Sequence, residues 1–154
     1  MAEQTFQYFQ RVSYALCTMG NHVYYSRYLD ILEAARGEFF RHLALPFLEL
    51  QQRELIFPVI ECHLKYKAPA RYDDLLAVSI WVMLAERARL NFGYRVTNQT
   101  RSDTLILEAV TLHVCTGLDE KPRRLPEELK KKLAPFISEG WAPLDADSPA
   151  SQET

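Results

Sequence analysis

Apolar and polar residues alternate with two different periods along this chain. Phe6, Tyr8, Val12 and Tyr14 share one parity and predict a first strand over Phe6–Tyr14. From about Tyr25 to Leu43 the period lengthens. Tyr28, Leu32, Ala35, Phe39 and Leu43 step by four, three, four and four, which is one helical face. Leu29, Ile31 and Phe40 widen that face until most of the circumference is apolar, so the helix must be buried nearly all round. Gly37 inside it weakens a helix by about 1 kcal/mol relative to Ala, and close approach of another backbone is the expected compensation. Pro46 is expected to end the helical region.

Strand periodicity then returns. Ile60, Cys62, Leu64 and Tyr66 alternate with Glu61, His63 and Lys65, predicting a strand over Ile56–Tyr66. Pro69–Asp74 reads as a turn. Leu75–Ala85 is nearly all apolar, as a strand covered on both faces would be. Leu90, Phe92, Tyr94 and Val96 alternate with Asn91, Gly93, Arg95 and Thr97, and the polar run Thr97–Asp103 marks a hairpin turn. A last long strand runs from Thr104 to about Thr116. Pro126–Leu133 predicts a short basic helix with Pro at or near its first position. No internal repeat is visible. Residues 1–137 form one expected domain, and 138–154, rich in Ser, Pro, Ala and Asp, an expected loose tail.

Five long strands joined mostly by short turns, with one apolar helix between the first and second, give an α+β class. The economical packing wraps a five-stranded antiparallel sheet around the single central helix. One helix cannot cover every apolar strand position, so a homo-oligomer is expected.

Composition narrows the partners. The chain has 154 residues and a formal net charge of −2, so no global field recruits nucleic acid or an anionic membrane. No apolar run approaches the length that spans a bilayer. Cys17, Cys62 and Cys115 lie far apart, without a CxxC pair. Met1-Ala2-Glu3-Gln4 has no charged-then-apolar signal pattern. Free thiols in a reducing cytoplasm are the simplest reading. His and Asp do not cluster at metal-ligand spacing, and neither a Gly-rich phosphate loop nor a Gly-x-Ser-x-Gly elbow is present. No metal and no cofactor is expected.

Three segments resemble a known family. They are Arg11-Val-Ser-Tyr14 with the run Gly20–Arg36, then Tyr66-Lys-Ala-Pro-Ala-Arg-Tyr-Asp-Asp-Leu75, and Arg124-Leu-Pro-Glu-Glu-Leu129. In order and spacing they are similar to hotdog-fold acyl-CoA thioesterases of the 4-hydroxybenzoyl-CoA thioesterase type, which include the YbgC-like enzymes. The resemblance spans roughly residues 6–135. It implies a hotdog fold with a short C-terminal helix, and hydrolysis of acyl thioesters of coenzyme A or of acyl carrier protein by a dimer or homotetramer. A binding protein that keeps the fold and has lost catalysis is the alternative.

One departure bears on mechanism. The family's usual Asp-x-Asp-x-x-Gly before the helix has its second Asp as nucleophile or general base. Aligned on Gly20, those two positions hold Leu16 and Thr18. Some related polyketide-pathway thioesterases also lack this acid and have a similar Thr…Gly-Asn…Val-Tyr-Tyr loop. The family's helix-start His or Tyr matches Tyr25.

Thioester hydrolysis needs a carbonyl polariser, an activated water and a grip on the thiol's phosphates. Backbone N–H groups of Val23, Tyr24 and Tyr25, at the positive end of the helix, are candidate oxyanion donors. His22 is the candidate base, because an imidazole titrates near neutrality. Thr18 and Asn21 are candidates for orienting water, and Tyr25 for donating to the substrate. Lys65, Lys67, Arg71, Arg87 and Arg89 are candidates for phosphate binding, against the alternative of solvated turns. Glu33 and Arg36, three apart on the helix, are expected to pair. Glu61 and His63 share a strand face, Lys130–Lys132 read as a solvated face, and His42 and His113 as structural residues.

Overall fold

Period-two alternation builds the sheet, and the four-three stepping builds the helix that fills it. The computed structural model describes residues 4–138. In chain order it contains β1 (Phe6–Arg11), α1 (Arg27–His42), α2 (Phe47–Gln52), β2 (Val59–Tyr66), β3 (Leu75–Glu86), β4 (Arg89–Asn98), β5 (Thr104–Val114) and α3 (Glu127–Leu133). The strands form one antiparallel sheet in the order β1-β3-β4-β5-β2, so β1 and β2 are its two edges. The expected tail of residues 138–154 falls, apart from Ser138, outside the described residues.

The sheet wraps α1. Tyr28, Ile31, Leu32, Ala35, Phe39 and Phe40 are buried along the helix, in one cluster with Val78, Ile80 and Val82 of β3 and Phe92, Tyr94 and Val96 of β4. Each such side chain contributes about 2 kcal/mol when fully buried. The cost of a central glycine is small beside that sum. This is the expected α+β hotdog architecture, with five strands and a long central helix.

Local differences from the sequence pattern have identifiable causes. β1 stops at Arg11 because Val12 leaves the ladder to bond the turn at Asp73–Asp74: its N–H donates to Asp74 O at 2.8 Å, and its carbonyl accepts from Asp73 N at 3.0 Å. The helix begins at Arg27, two residues later than the pattern suggests, because Tyr24–Ser26 form a turn first. Pro46 does more than terminate a helix. It is the N-cap of α2, an element too short to show a period. Pro126 likewise stands at the N-cap of α3.

Gly37 meets no neighbouring backbone. A Cβ there would find only the Arg41 guanidinium, at 3.6 Å. The close approach lies at Gly93 instead, where a Cβ would overlap the indole ring of Trp81 on the paired strand. Lys132 is also not simply solvated. Its Nζ donates to Leu43 O at 2.8 Å and satisfies a carbonyl at the end of α1.

Candidate functional site

Two segments 40 residues apart in sequence meet at the start of α1. Residues 16–24 fold back on themselves: Thr18 N donates to His22 O at 2.8 Å, Asn21 N to Thr18 O at 3.0 Å, and Tyr24 N to Leu16 O at 2.9 Å. The turn at Ala70–Asp74 docks on this loop through Val23 N, which donates to Ala70 O at 2.9 Å. Tyr28 Oη accepts from Ala70 N at 3.2 Å, and Tyr66 Oη donates to Tyr25 O at 2.9 Å. A cleft of about 350 Å3 remains between the segments, lined by His22, Tyr25, Tyr28, Tyr66, Lys67 and Pro69 among others.

The geometry narrows the expected donor set. The amides of Val23 and Tyr24 are spent on Ala70 O and Leu16 O. Among the described residues the Tyr25 amide has no such partner, and the Ser26 side chain makes no cap hydrogen bond to α1. One of three expected backbone donors is therefore open at the positive end of a sixteen-residue helix.

His22 borders the cleft and is exposed. Thr18 and Asn21 do not border it. Thr18 Oγ1 accepts from Gly20 N at 3.3 Å, and Asn21, with φ 59°, accepts on Oδ1 from Tyr72 N at 3.3 Å. Both side chains hold the loop that carries His22. Lys67 lines the cleft, Arg71 is in the adjoining turn, and Lys65 is one strand position away from Tyr66. Arg87 and Arg89 are at the other end of β3, roughly 35 Å off at strand rise, and are not brought to this cleft within one protomer.

Asp74 holds the docking turn. It is 2% exposed and accepts from Arg71 N, Asn98 Nδ2 and the Arg101 guanidinium at 2.8–3.2 Å. Burial pushes its pKa up, but those donors outweigh burial and leave it below the usual carboxylate value.

A second polar array lies further along α1. Glu33 and Arg36 do not pair. Arg36 Nη1 donates instead to Tyr94 Oη at 3.0 Å. Tyr94 Oη lies 2.8 Å from Thr111 Oγ1, which lies 2.8 Å from His113 Nε2, and His113 Nδ1 is 3.0 Å from Phe57 O. Both ends fix the direction. A carbonyl only accepts, so Nδ1 carries the proton; a guanidinium only donates, so Tyr94 accepts from Arg36. Burial and the nearby Arg36 charge push His113 down to about 4, so the ring is neutral and Nε2 accepts. The chain therefore runs Arg36, Tyr94, Thr111, His113, Phe57 with every bond pointing one way. The only sequence signal for it was polar residues, Thr111 and His113, at core-facing positions of β5.

Arg36 faces a cavity of about 540 Å3 whose lining includes Glu33, Phe47, Phe57, Phe92 and His113. A smaller one of about 210 Å3, lined by Leu29, Asp30, Glu33, Arg36, Val59, Cys62 and Thr111, adjoins it. All three cysteines are free. Among the described residues no His, Cys, Asp or Glu cluster could hold a metal ion.

Comparison with known proteins fits this geometry. Residues 12–133 match the model of the thioesterase-like superfamily. The acyl-CoA thioester hydrolase YbgC of Escherichia coli is 34% identical over 120 residues, covering 77% of this chain and 88% of that protein. The acyl-CoA thioesterase YbgC of Haemophilus influenzae is 33% identical, covering 84% and 95%. A hypothetical protein of Thermus thermophilus has a similar crystal structure, with TM-score 0.78 and 31% identity over 84% of this chain and 98% of that one.

Proposed function

The chain belongs to the thioesterase-like superfamily, and from that membership we infer that it hydrolyses acyl thioesters of coenzyme A to free acid and thiol. The observation that carries the reading to particular atoms is the cleft beside the uncapped start of α1, with the Tyr25 amide unspent and His22 at its wall. The thioester carbonyl oxygen accepts from Tyr25 N–H, which stabilises the negative charge that grows there during attack. Water supplies the nucleophile. His22 takes a proton from it as the water oxygen bonds to the carbonyl carbon. The C–S bond then breaks, and the proton passes to the departing sulfur.

This assignment replaces the family's carboxylate, whose two usual positions hold Leu16 and Thr18. Thr18 and Asn21 act through the loop, by holding His22 in place. Lys67 and Arg71 stand nearest for the phosphates, and Lys65 is close by. An acyl group on the pantetheine arm of a carrier protein presents the same thioester.

The working form is a homo-oligomer, a dimer or a tetramer. Among the described residues the outer edge of β2 is unpaired in the protomer and exposes Val59 and Ile60, which suits strand pairing with a second copy. Among the described residues no helix is long and apolar enough to cross a membrane. The enzyme works in the cytoplasm with free thiols.

The test is release of free coenzyme A, followed with a thiol reagent over a panel of acyl-CoAs. Turnover by the wild type, falling about a hundredfold or more in His22→Ala with folding intact, supports the reading. Saturable binding with no thiol released from any member supports the binding-only alternative.

A further inference from the structure

The row Tyr25, Leu29, Glu33, Arg36 starts in the turn before α1 and runs along the helix, from the thioester cleft towards the two cavities further on. Tyr25 lines the first, Leu29 and Glu33 the second, Glu33 and Arg36 the third. From Arg27 to Arg36 the helix itself spans about 14 Å. The wall opposite is supplied by Val59 and Cys62 of β2 and Thr111 of β5, and Leu29, Asp30 and Glu33 form the helix side, so apolar groups from both sides flank the path while two carboxylates edge it before Arg36.

At its far end the polar groups are unevenly satisfied. Asp30 is paired with Arg27 and Glu38 with Arg41, at 3.2 and 2.7 Å. Among the described residues Arg36 forms no ion pair and gives one bond, to Tyr94; Glu33 forms none. The relay behind Tyr94 cannot reverse, because Phe57 O and Arg36 fix both ends. Arg36 is thus held with donors left over, three residues from a carboxylate with acceptors left over. A hydroxyl accepts from the first and donates to the second. A carboxylate fits less well, since the cavity wall carries Asp30, Glu33 and Glu38 against Arg36 and Arg41.

We propose that this stripe holds the acyl chain and that Arg36 with Glu33 binds a hydroxyl at its far end, so that the protein prefers hydroxylated medium or long aliphatic acyl groups. The proposal rests on the thioesterase reading. Tyr94, Thr111 and His113 are then positioning residues. They act by fixing the guanidinium, and Thr111 is the link that can be removed with least change of shape.

The experiment compares kcat/KM for saturated acyl-CoAs from hexanoyl to tetradecanoyl with their ω-hydroxy counterparts. The wild type is expected to favour the hydroxylated compound by about tenfold or more at one or two adjacent chain lengths. Arg36→Met abolishes the preference while still hydrolysing the saturated series. Thr111→Val lowers it, and Thr111→Ser keeps it, which a purely structural role for Thr111 would not produce. Circular dichroism and melting confirm that each variant is folded. Equal rates for both series at every length, or a preference that survives Arg36→Met, overturn the proposal and leave the thioesterase reading standing. No thiol released from any compound overturns both.

Discussion

The Tyr66 hydroxyl at the end of β2 donates to the carbonyl of Tyr25 at 2.9 Å, tying an edge strand to the turn that starts the central helix. The bond fixes the peptide unit immediately after the Tyr25 amide, the one of the three expected helix-start donors that is open among the described residues. Tyr66→Phe removes it at a cost of about 1 kcal/mol in stability, because the bond is exposed and water can replace it. Thioester turnover is expected to fall by about tenfold at unchanged fold. Equal kcat/KM for wild type and variant would show that the helix start needs no such tie.

Asp74 gathers three donors, from its own turn, from the end of β4 and from the turn that follows, and its removal orphans the buried Asn98 amide. Asp74→Ala is expected to cost roughly 3 kcal/mol. The same turn carries Ala70, whose carbonyl holds Val23, so activity should fall further than residual folding explains. Urea unfolding gives the first quantity, and kcat measured well below the unfolding transition gives the second. A loss under 1 kcal/mol would contradict the network.

His113 makes stability depend on pH. Its folded pKa of about 4 lies below the ordinary imidazole value of 6.5. Between the two, the unfolded chain binds a proton that the folded chain excludes. Stability therefore falls as pH drops from about 6.5 to about 4, by at most ~3 kcal/mol. The lowered Asp74 carboxyl acts at more acidic pH, where its contribution is lost on protonation. Urea midpoints from pH 7 to 4.5 should fall more steeply for wild type than for His113→Asn. Parallel curves would place a proton on the folded ring.

Gly93 is the position where the sheet has no room for a side chain. Gly93→Ala drives a methyl into Trp81, with an expected cost of about 1–3 kcal/mol. The cost should shrink in a Trp81→Val background, because the two positions couple directly. Additive effects in the double variant would mean that the ring is not the obstacle.

Sequence periodicity located all five strands and the central helix, because burial on one face imposes a period that any reader of the chain can count. Gly20–Arg36 and Tyr66–Leu75 stood out by their resemblance to a known family, not by their period. Their ends were less legible. Val12 leaves its strand for a bond to Asp74, sixty-two residues on, and nothing near Val12 announces that partner. Gly37 looked like a point of close approach and is not, whereas Gly93 is, since only the facing residue decides.

The amino-acid order by itself determined the architecture and the family, since these are carried by local pattern and residue identity. Tertiary structure decided which of Val23, Tyr24 and Tyr25 keeps a free amide, that Arg36 bonds Tyr94 rather than Glu33, and that Arg87 and Arg89 stand far from the cleft. The physical reason is common to all three. A hydrogen-bonding group has several possible partners of similar strength, and only the packed chain, by fixing distance and direction, selects one.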